Sequence, residues 1–299
     1  GEAVRSIVGQ TYKNLQIIVA DDCSQDDSAG EILKLKSEYP SLLVFLLPEN
    51  VGNCKAFNEA YKHAMGEFVI DFATDDIMLP DRVEKQVQHF EKCDRKVGVV
   101  FTDATYINEK GELLRNHFEY LFRKNLIRRI PQGDVYRDVL STYFIPGPTM
   151  MVRREVLDQL GGYDEELTYE DFDFWVRSAR DYHYAFLDEK LTRIRKLRQS
   201  MSTGWYVPGD RQLHSTYLVC RKAQKLNRDK SDEQALTKRV RYEFRQSVLS
   251  GNYSEADLFF SLLEELNGVS LGDKTLAFAK RNRIPLTALR RWYHRLRYS

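Results

Sequence analysis

The chain has 299 residues, 42% hydrophobic and 30% charged, a balance that excludes a disordered polypeptide. That length buries one large core, or one core with a smaller helical appendage. A formal net charge of +1 conceals a skew: seven Lys or Arg and no acid lie from Lys280 to Arg297, while Asp and Glu are abundant before residue 190.

No apolar run reaches the roughly 18 residues needed to cross a bilayer, and the first residues lack the form of a signal peptide. Export by the general secretory route is therefore not expected. Cys23, Cys54, Cys93 and Cys220 are scattered, with no CxxC pair and no zinc spacing. They read as free thiols in a reducing, cytoplasmic compartment.

In chain order, Leu15 to Ala20 is a short β-branched apolar run that stops at Asp21-Asp22-Cys23-Ser24, a buried strand ending in a polar loop. Ser28 to Tyr39 has helical spacing, with Pro40 as its stop. Leu42 to Leu47 is a second strand. Ala56 to Met65 is helical, with Gly66 as its C-terminal cap. Phe68 to Phe72 is a third strand, interrupted by Asp71, and runs into Thr74-Asp75-Asp76. A helix follows near Asp81, and Val97 to Phe101 forms a fourth strand ending at Thr102-Asp103. Alternating strands and helices predict a mostly parallel α/β sheet, whose ligands bind beyond the carboxyl ends of the strands. Asp22, Asp75-Asp76 and Asp103 all fall there. Residues 112 to 145 break the rhythm. Thr149 to Val152 is a strand, a helix runs to Leu160, Phe172 to Arg180 is an aromatic helix after Glu170-Asp171, and 184 to 195 holds a last strand. Charged helical segments follow from about residue 205.

Asp75 and Asp76 repel each other unless a cation or a set of donors offsets their charge. Mg²⁺ or Mn²⁺ bridged to a diphosphate would do so; capping of the next helix is the competing explanation. Asp22 can accept from a nucleobase or ribose, or serve ordinary turn chemistry. Asp171 stands at a helix N-terminus, where the dipole lowers a carboxyl pKa; it is either a general base or a cap. There is no GxGxxG after a strand, no GxxxxGK[ST] and no GxSxG, which disfavours a dinucleotide oxidoreductase, a P-loop phosphotransferase and an α/β-hydrolase, and the six histidines form no HExxH and read as surface or packing residues. The stretch from Leu276 to Leu296 mixes Trp292 and Tyr293 with Arg290, Arg291, Arg295 and Arg297. It suits an anionic membrane surface or a helix packed on its own domain, and no matching basic face elsewhere suggests nucleic acid.

Ser6-Ile7-Val8-Gly9-Gln10-Thr11-Tyr12-Lys13-Asn14-Leu15, followed by Ile17-Ile18-Val19-Ala20-Asp21-Asp22-Cys23-Ser24, resembles the opening of the family 2 inverting glycosyltransferases. Further matches follow in order: Asn50-Val51-Gly52, Ala56-Phe57-Asn58, Ala64-Met65-Gly66-Glu67-Phe68, Thr74-Asp75-Asp76 with Pro80, Gly161-Gly162-Tyr163-Asp164-Glu165, and Glu170-Asp171-Phe172-Asp173-Phe174-Trp175. The likeness spans about residues 3 to 203. It implies a GT-A type α/β domain over 1–204, with a helical, basic extension over 205–299. It implies a metal-dependent transfer of sugar from a nucleotide-sugar donor, UDP-linked by preference, to a glycan or lipid-linked glycan of a bacterial surface polymer, at the inner face of the cell membrane. Asp22 would contact the base, Asp75 the ribose or the metal, and Asp76 the divalent ion. Asp171 would be the general base with Glu170 beside it, and Arg195, with the segment to Ser202, would belong to a loop over the phosphates. An inactive nucleotide-sugar-binding protein of the same fold is the alternative.

The pattern departs from the family twice. The family's first strand, central in the sheet beside the strand ending at Asp22, has no counterpart before Gly1, so a native N-terminal segment is expected to be missing from the quoted chain. Many relatives also carry a His where this chain has Leu197, which would leave the metal resting on Asp76, donor phosphates and water.

Overall fold

The protein is described here by a computed structural model covering residues 1–197, 206–282, 284 and 286. It divides into two compact units, Gly1–Val135 with Phe144–Arg198, and Tyr136–Tyr143 with Gln199–Ser299.

In the first unit, α1 (Glu2–Val8) leads to β1 (Ile18–Asp21), α2 (Ser28–Glu38) and β2 (Leu43–Leu46). β1 and β2 pair in parallel, Ile18 opposite Leu43 through Asp21 opposite Leu46. Val4, Val19, Leu35 and Leu42 close a small core between the helices and this pair. α3 (Asn53–Tyr61) starts after Gly52, whose φ of +90° suits a residue without Cβ. It begins three residues earlier than Ala56 and ends with Lys62 as its cap, so Gly66 is not the C-terminal cap expected.

The larger sheet contains β3 (Phe68–Val69), β4 (Ile77–Met78), β5 (Val97–Ile107), β6 (Leu113–Asn116), β7 (Met151–Arg153) and β8 (His183–Arg195). Its order is β3-β7-β5-β8-β4, with β6 also on β5. β5 and β8 run in parallel, while β3–β7, β5–β7, β4–β8 and β5–β6 are antiparallel. The α/β class holds, but the sheet is mixed rather than mostly parallel. Of the strands responsible, β3, β4 and β7 have two or three residues each and β6 has four, too short for sequence periodicity to reveal their direction. Among the described residues β1 pairs only with β2 and β3 only with β7, and no described strand joins the two sheets.

α4 (Arg82–Glu91) lays Val83, Val87 and Phe90 against Met78, Val100, Met151 and Ala185. Burial of each such side chain stabilises by about 1.5–3 kcal/mol. β5 continues past Asp103 to Ile107, and its register against β8 shifts around that residue. Asp103 is thus mid-strand rather than at a strand end: its Oδ1 accepts the N–H of Ala104 at 2.8 Å and of Phe118 at 3.1 Å. That satisfies a buried carboxylate within the bulge. α5 (His117–Arg123) follows β6. α6 (Tyr136–Ser141) belongs to the second unit, and α7 (Arg154–Leu160) and α8 (Asp171–Ser178) complete the first.

The second unit packs α6 with α9 (Arg211–Leu226), α10 (Lys230–Ser250), α11 (Tyr253–Glu265) and α12 (Leu271–Arg281). Leu236, Val240, Phe244, Val248, Phe259 and Leu262 form its buried interior. Asp210 and Asp229 cap α9 and α10 by accepting backbone N–H groups, and Ser270 with Asp273 forms a capping box on α12. No helix among the described residues is long and apolar enough to cross a membrane. The basic residues Arg290, Arg291, Arg295 and Arg297 lie outside the described residues.

Candidate active site

The Asp75-Asp76 pair occupies the turn between β3 and β4, and α4 begins only at Arg82, after Asp81. Helix capping therefore does not account for the pair. Asp76 is 2% exposed. Its Oδ1 accepts the Arg195 N–H at 2.8 Å, and its other oxygen accepts nothing among the described residues. Burial pushes its carboxyl up to about 6; Asp75 adds to this, while the Arg195 N–H, Lys196 and Arg82 oppose it. Asp75 is half-buried, and its carboxylate likewise accepts no hydrogen bond among the described residues.

Behind the pair lies Arg82, wholly buried, donating to Gln86 Oε1 at 2.9 Å, Thr192 Oγ1 at 2.8 Å and the Met150 carbonyl at 3.3 Å. Burial lowers its guanidinium to about 9, and the field of Asp76 resists that. Arg195 is beside the acids as expected, but its donors are spent on protein. Nε meets the Asp75 carbonyl at 3.0 Å, Nη1 the Asn108 and Glu109 carbonyls, and Nη2 the Glu2 carboxylate at 2.6 Å. In this structure it ties three segments around the Asp75-Asp76 turn. Asp22 is similarly engaged, its two oxygens accepting the N–H groups of Val51 at 2.7 Å and Gly52 at 2.9 Å. Each oxygen keeps a second acceptor position for a ligand. Residues 198–202 of the expected loop lie outside the described residues.

Glu170 and Asp171 stand at the start of α8, where Glu170 occupies the N-cap without a side-chain capping bond. Instead its Oε2 accepts from Asn53 Nδ2 at 2.6 Å. The helix dipole was expected to lower the Asp171 carboxyl; it is raised well above the ordinary value. Loss of hydration is the largest cause, followed by repulsion from Glu170 and Asp71. Dehydration beside two like charges outweighs the dipole of an eight-residue helix. Gly147 makes room for this carboxylate: a Cβ there would lie 2.7 Å from Asp171 Oδ1.

Several contributors escaped the sequence reading. Asp71, seen there only as an interruption of a strand, has its carboxyl pushed up to about 7 by desolvation and by Glu170, with the Tyr163 hydroxyl donating to it at 3.2 Å. Tyr163 is held in turn by Asn58, which accepts its N–H at 2.9 Å and donates to its carbonyl at 2.8 Å, and by stacking on Phe57. The Gly161-Gly162-Tyr163 and Ala56-Phe57-Asn58 motifs thus meet as one brace under the acids. Tyr106 was missed altogether. Its hydroxyl is pushed up to about 12 by burial, with Arg115 opposing and the fields of Asp76, Asp103 and Asp171 adding. The fields of Asp76 and Asp171 thus both reach the Tyr106 hydroxyl. Among the described residues no group of three or more His, Cys, Asp or Glu could by itself hold a metal ion.

Comparison with known proteins fits this arrangement. A relative from Methanocaldococcus jannaschii, an uncharacterized glycosyltransferase, is 30% identical over 65% of this chain and 64% of its own. One from Rickettsia prowazekii, also an uncharacterized glycosyltransferase, is 29% identical over 65% of this chain and 58% of its own. The chain thus spans less than two thirds of the length of these relatives. TuaG of Bacillus subtilis, provisionally named a teichuronic acid biosynthesis glycosyltransferase, is 24% identical over 76% of this chain and 83% of its own. Among solved structures, S. aureus TarS 1-349 in complex with UDP-GlcNAc matches with a TM-score of 0.66 at 19% identity, covering 92% of this chain and 79% of that one. The mannosyltransferase PcManGT from Pyrobaculum calidifontis, in complex with GDP-Man and Mn²⁺, matches with a TM-score of 0.58 at 18% identity, covering 96% and 79%. These likenesses establish the GT-A fold. The model of "Glycosyl transferase family 2" matches residues 1–161, over half of the sequence, and the chain belongs to that family.

Proposed function

We propose that this chain transfers a sugar from a nucleoside-diphosphate sugar to a hydroxyl of a glycan or lipid-linked glycan, with inversion at the anomeric carbon. The observation that carries this reading is that the fields of Asp76 and Asp171, from distant parts of the chain, both reach the Tyr106 hydroxyl. One carboxylate pair can face a diphosphate while another faces an acceptor.

In this reading Asp171 is the general base. Desolvation and its acidic neighbours make it a stronger base than a solvated carboxylate, suited to take a proton from the acceptor hydroxyl as that oxygen attacks. Glu170, held by Asn53, keeps the negative field around Asp171 in place. Asp76 and Asp75 would hold a divalent cation, Mg²⁺ or Mn²⁺. Their fit rests on hard carboxylate oxygens, of which Asp76 Oδ1 accepts the Arg195 N–H and the other three accept from no described donor, with the donor phosphates and water completing the set. When bound, such an ion supplies Lewis-acid stabilisation of the leaving diphosphate. Arg195 holds the Asp75-Asp76 turn and belongs to the donor side of the site. Asp22 links the end of β1 to the Val51-Gly52 loop and would accept from the nucleobase; uracil is our preferred base.

The UDP-GlcNAc and GDP-Man complexes of the structural neighbours support a nucleotide-sugar donor, and the name given to TuaG supports a cell-surface polymer as product. All four cysteines are free, which suits the cytoplasmic side of the membrane. A screen of UDP- and GDP-sugars with Mg²⁺ or Mn²⁺, reading release of the nucleoside diphosphate, tests the proposal. Turnover that disappears in Asp171→Asn while UDP or GDP binding persists is the expected result. Failure of every nucleoside diphosphate to bind, with or without metal, would overturn it.

A further inference from the structure

The surface at the end of α5 is unlike the rest of the first unit. From Phe122 to Ile130 the chain reads Phe-Arg-Lys-Asn-Leu-Ile-Arg-Arg-Ile, with four basic residues and no acid. Phe122 is 41% exposed and Leu126 51% exposed, flanked by exposed Arg123, Lys124 and Arg128. None of these three cations forms an ion pair or a side-chain hydrogen bond among the described residues, and the guanidinium of Arg123 lies 6.0 Å from the Tyr120 ring centre.

This tip has a defined shape. Asn125 adopts φ +53°, its N–H meets the Phe122 carbonyl at 3.0 Å, and the Leu126 N–H meets the Leu121 carbonyl at 3.0 Å. These are the two bonds of a Schellman ending, which fixes the turn directly after the helix. Leu121, 5% exposed, anchors the helix end in the unit while Phe122 and Leu126 stay outside. The root of α5 is tied to the candidate site. Asp103 accepts the Phe118 N–H, and Tyr106 Oη lies 3.2 Å from His117 Nδ1.

We infer that this tip is a docking surface for an anionic lipid bilayer. Large apolar side chains interleaved with unpaired cations match the headgroup boundary, where rings and aliphatic chains enter the acyl edge and cations meet lipid phosphates. A soluble polyanion would call for the cations alone and would leave Phe122 and Leu126 without a partner. The inference itself depends on the tip, and not on the glycosyl-transfer reading.

The test is co-sedimentation of the full chain with phosphatidylcholine vesicles containing or lacking phosphatidylglycerol. It uses wild type, Phe122→Ser with Leu126→Ser, and Arg123→Gln with Arg128→Gln, leaving the basic C-terminal segment intact throughout. Circular dichroism confirms that each variant is folded. The expected result is binding to anionic vesicles only, weakened about tenfold or more by either pair of substitutions, since each basic residue near such a surface contributes about 1 kcal/mol. Equal binding by wild type and variants, or no binding to anionic vesicles, overturns the inference. Loss of binding in the charge variant with full retention in the apolar variant also overturns it, and identifies a polyanion site instead.

Discussion

Two buried carboxylates of the helical unit and four acids at the candidate site of the α/β unit are treated in opposite ways, although buried Glu243 of the helical unit is raised and buried Asp173 of the α/β unit is paired with Arg177. Of the four site acids Asp76 is buried, Glu170 and Asp171 are half-buried and Asp71 is exposed. In the helical unit Asp232 is fully buried, yet it accepts from Arg228 Nε at 2.8 Å and from Arg137 Nε at 2.7 Å. Burial alone would raise its carboxyl, but these bonds, with the Arg228 N–H, bring it down to about 2. Asp273, also fully buried, meets Ser270, Arg241 and Arg245, and it too lies below the ordinary value. In the α/β unit Asp71, Asp76, Glu170 and Asp171 are all raised. Arginines stand near Asp76 there too, but Arg82 and Arg195 direct their guanidinium donors elsewhere. A buried acid with its counter-charge in place holds a fold together; one without it is held ready for something the protein does not itself supply.

The largest effect that would sharpen this contrast is on stability. Asp232→Ala removes the buried carboxylate that Arg228 and Arg137 share, leaving Arg137 only Asp229, and should cost about 3–5 kcal/mol in chemical denaturation, as breaking buried ion pairs does. Next is catalysis: Asp171→Asn should reduce turnover by about 10²-fold or more with nucleotide binding spared. Near-normal turnover would remove Asp171 from the base role. Asp76→Asn should abolish the difference in UDP or GDP affinity between Mg²⁺ and chelator, read by calorimetry; an unchanged metal dependence would detach Asp76 from the ion.

The smallest effect is the most telling for the comparison. A carboxyl raised on folding binds its proton more tightly in the native state, so its stabilising share is lost as pH rises from the unfolded value near 4 through the folded value. For Asp76 and Asp71 that window ends at about 6 and about 7. Asp232 behaves in reverse: its contribution is complete above about 4 and fades as pH falls toward about 2. The ligand-free protein should therefore melt lower at pH 8 than at pH 5, and Asp171→Asn should raise the pH 8 midpoint by a few degrees. No gain in that variant would mean that the site acids are not under strain.

Much of the α/β unit was legible beforehand. Contiguous apolar runs located β1, β2 and the start of β5, and Pro40 and Pro80 marked helix boundaries, because these signals are local. Gly66 misled, because a glycine ends a helix only where the backbone is already leaving it, and α3 had stopped at Lys62. Asp103 misled in another way: polar residues suggest a strand end, whereas a bulge let β5 absorb one by giving it two backbone partners. β4, with two residues, carried no periodic signal at all. At the site, Asp22, Asp75, Asp76, Glu170, Asp171 and Arg195 stood out as motif residues. Their partners Asn53 and Tyr106 did not, because they stand far along the chain from the acids they serve, and Arg82, six residues after Asp76, carries no motif.

The sequence by itself determined most of the longer strands and helices, and which acids stand where chain direction changes, since both follow from side-chain type and short-range spacing. Only the tertiary structure decided the sign of the Asp171 shift, the commitment of Arg195 to carbonyls and Glu2, and the reach of the Asp76 and Asp171 fields to Tyr106. Those depend on desolvation and on charges brought together from distant positions, and dehydration is a property of packing that no local pattern encodes.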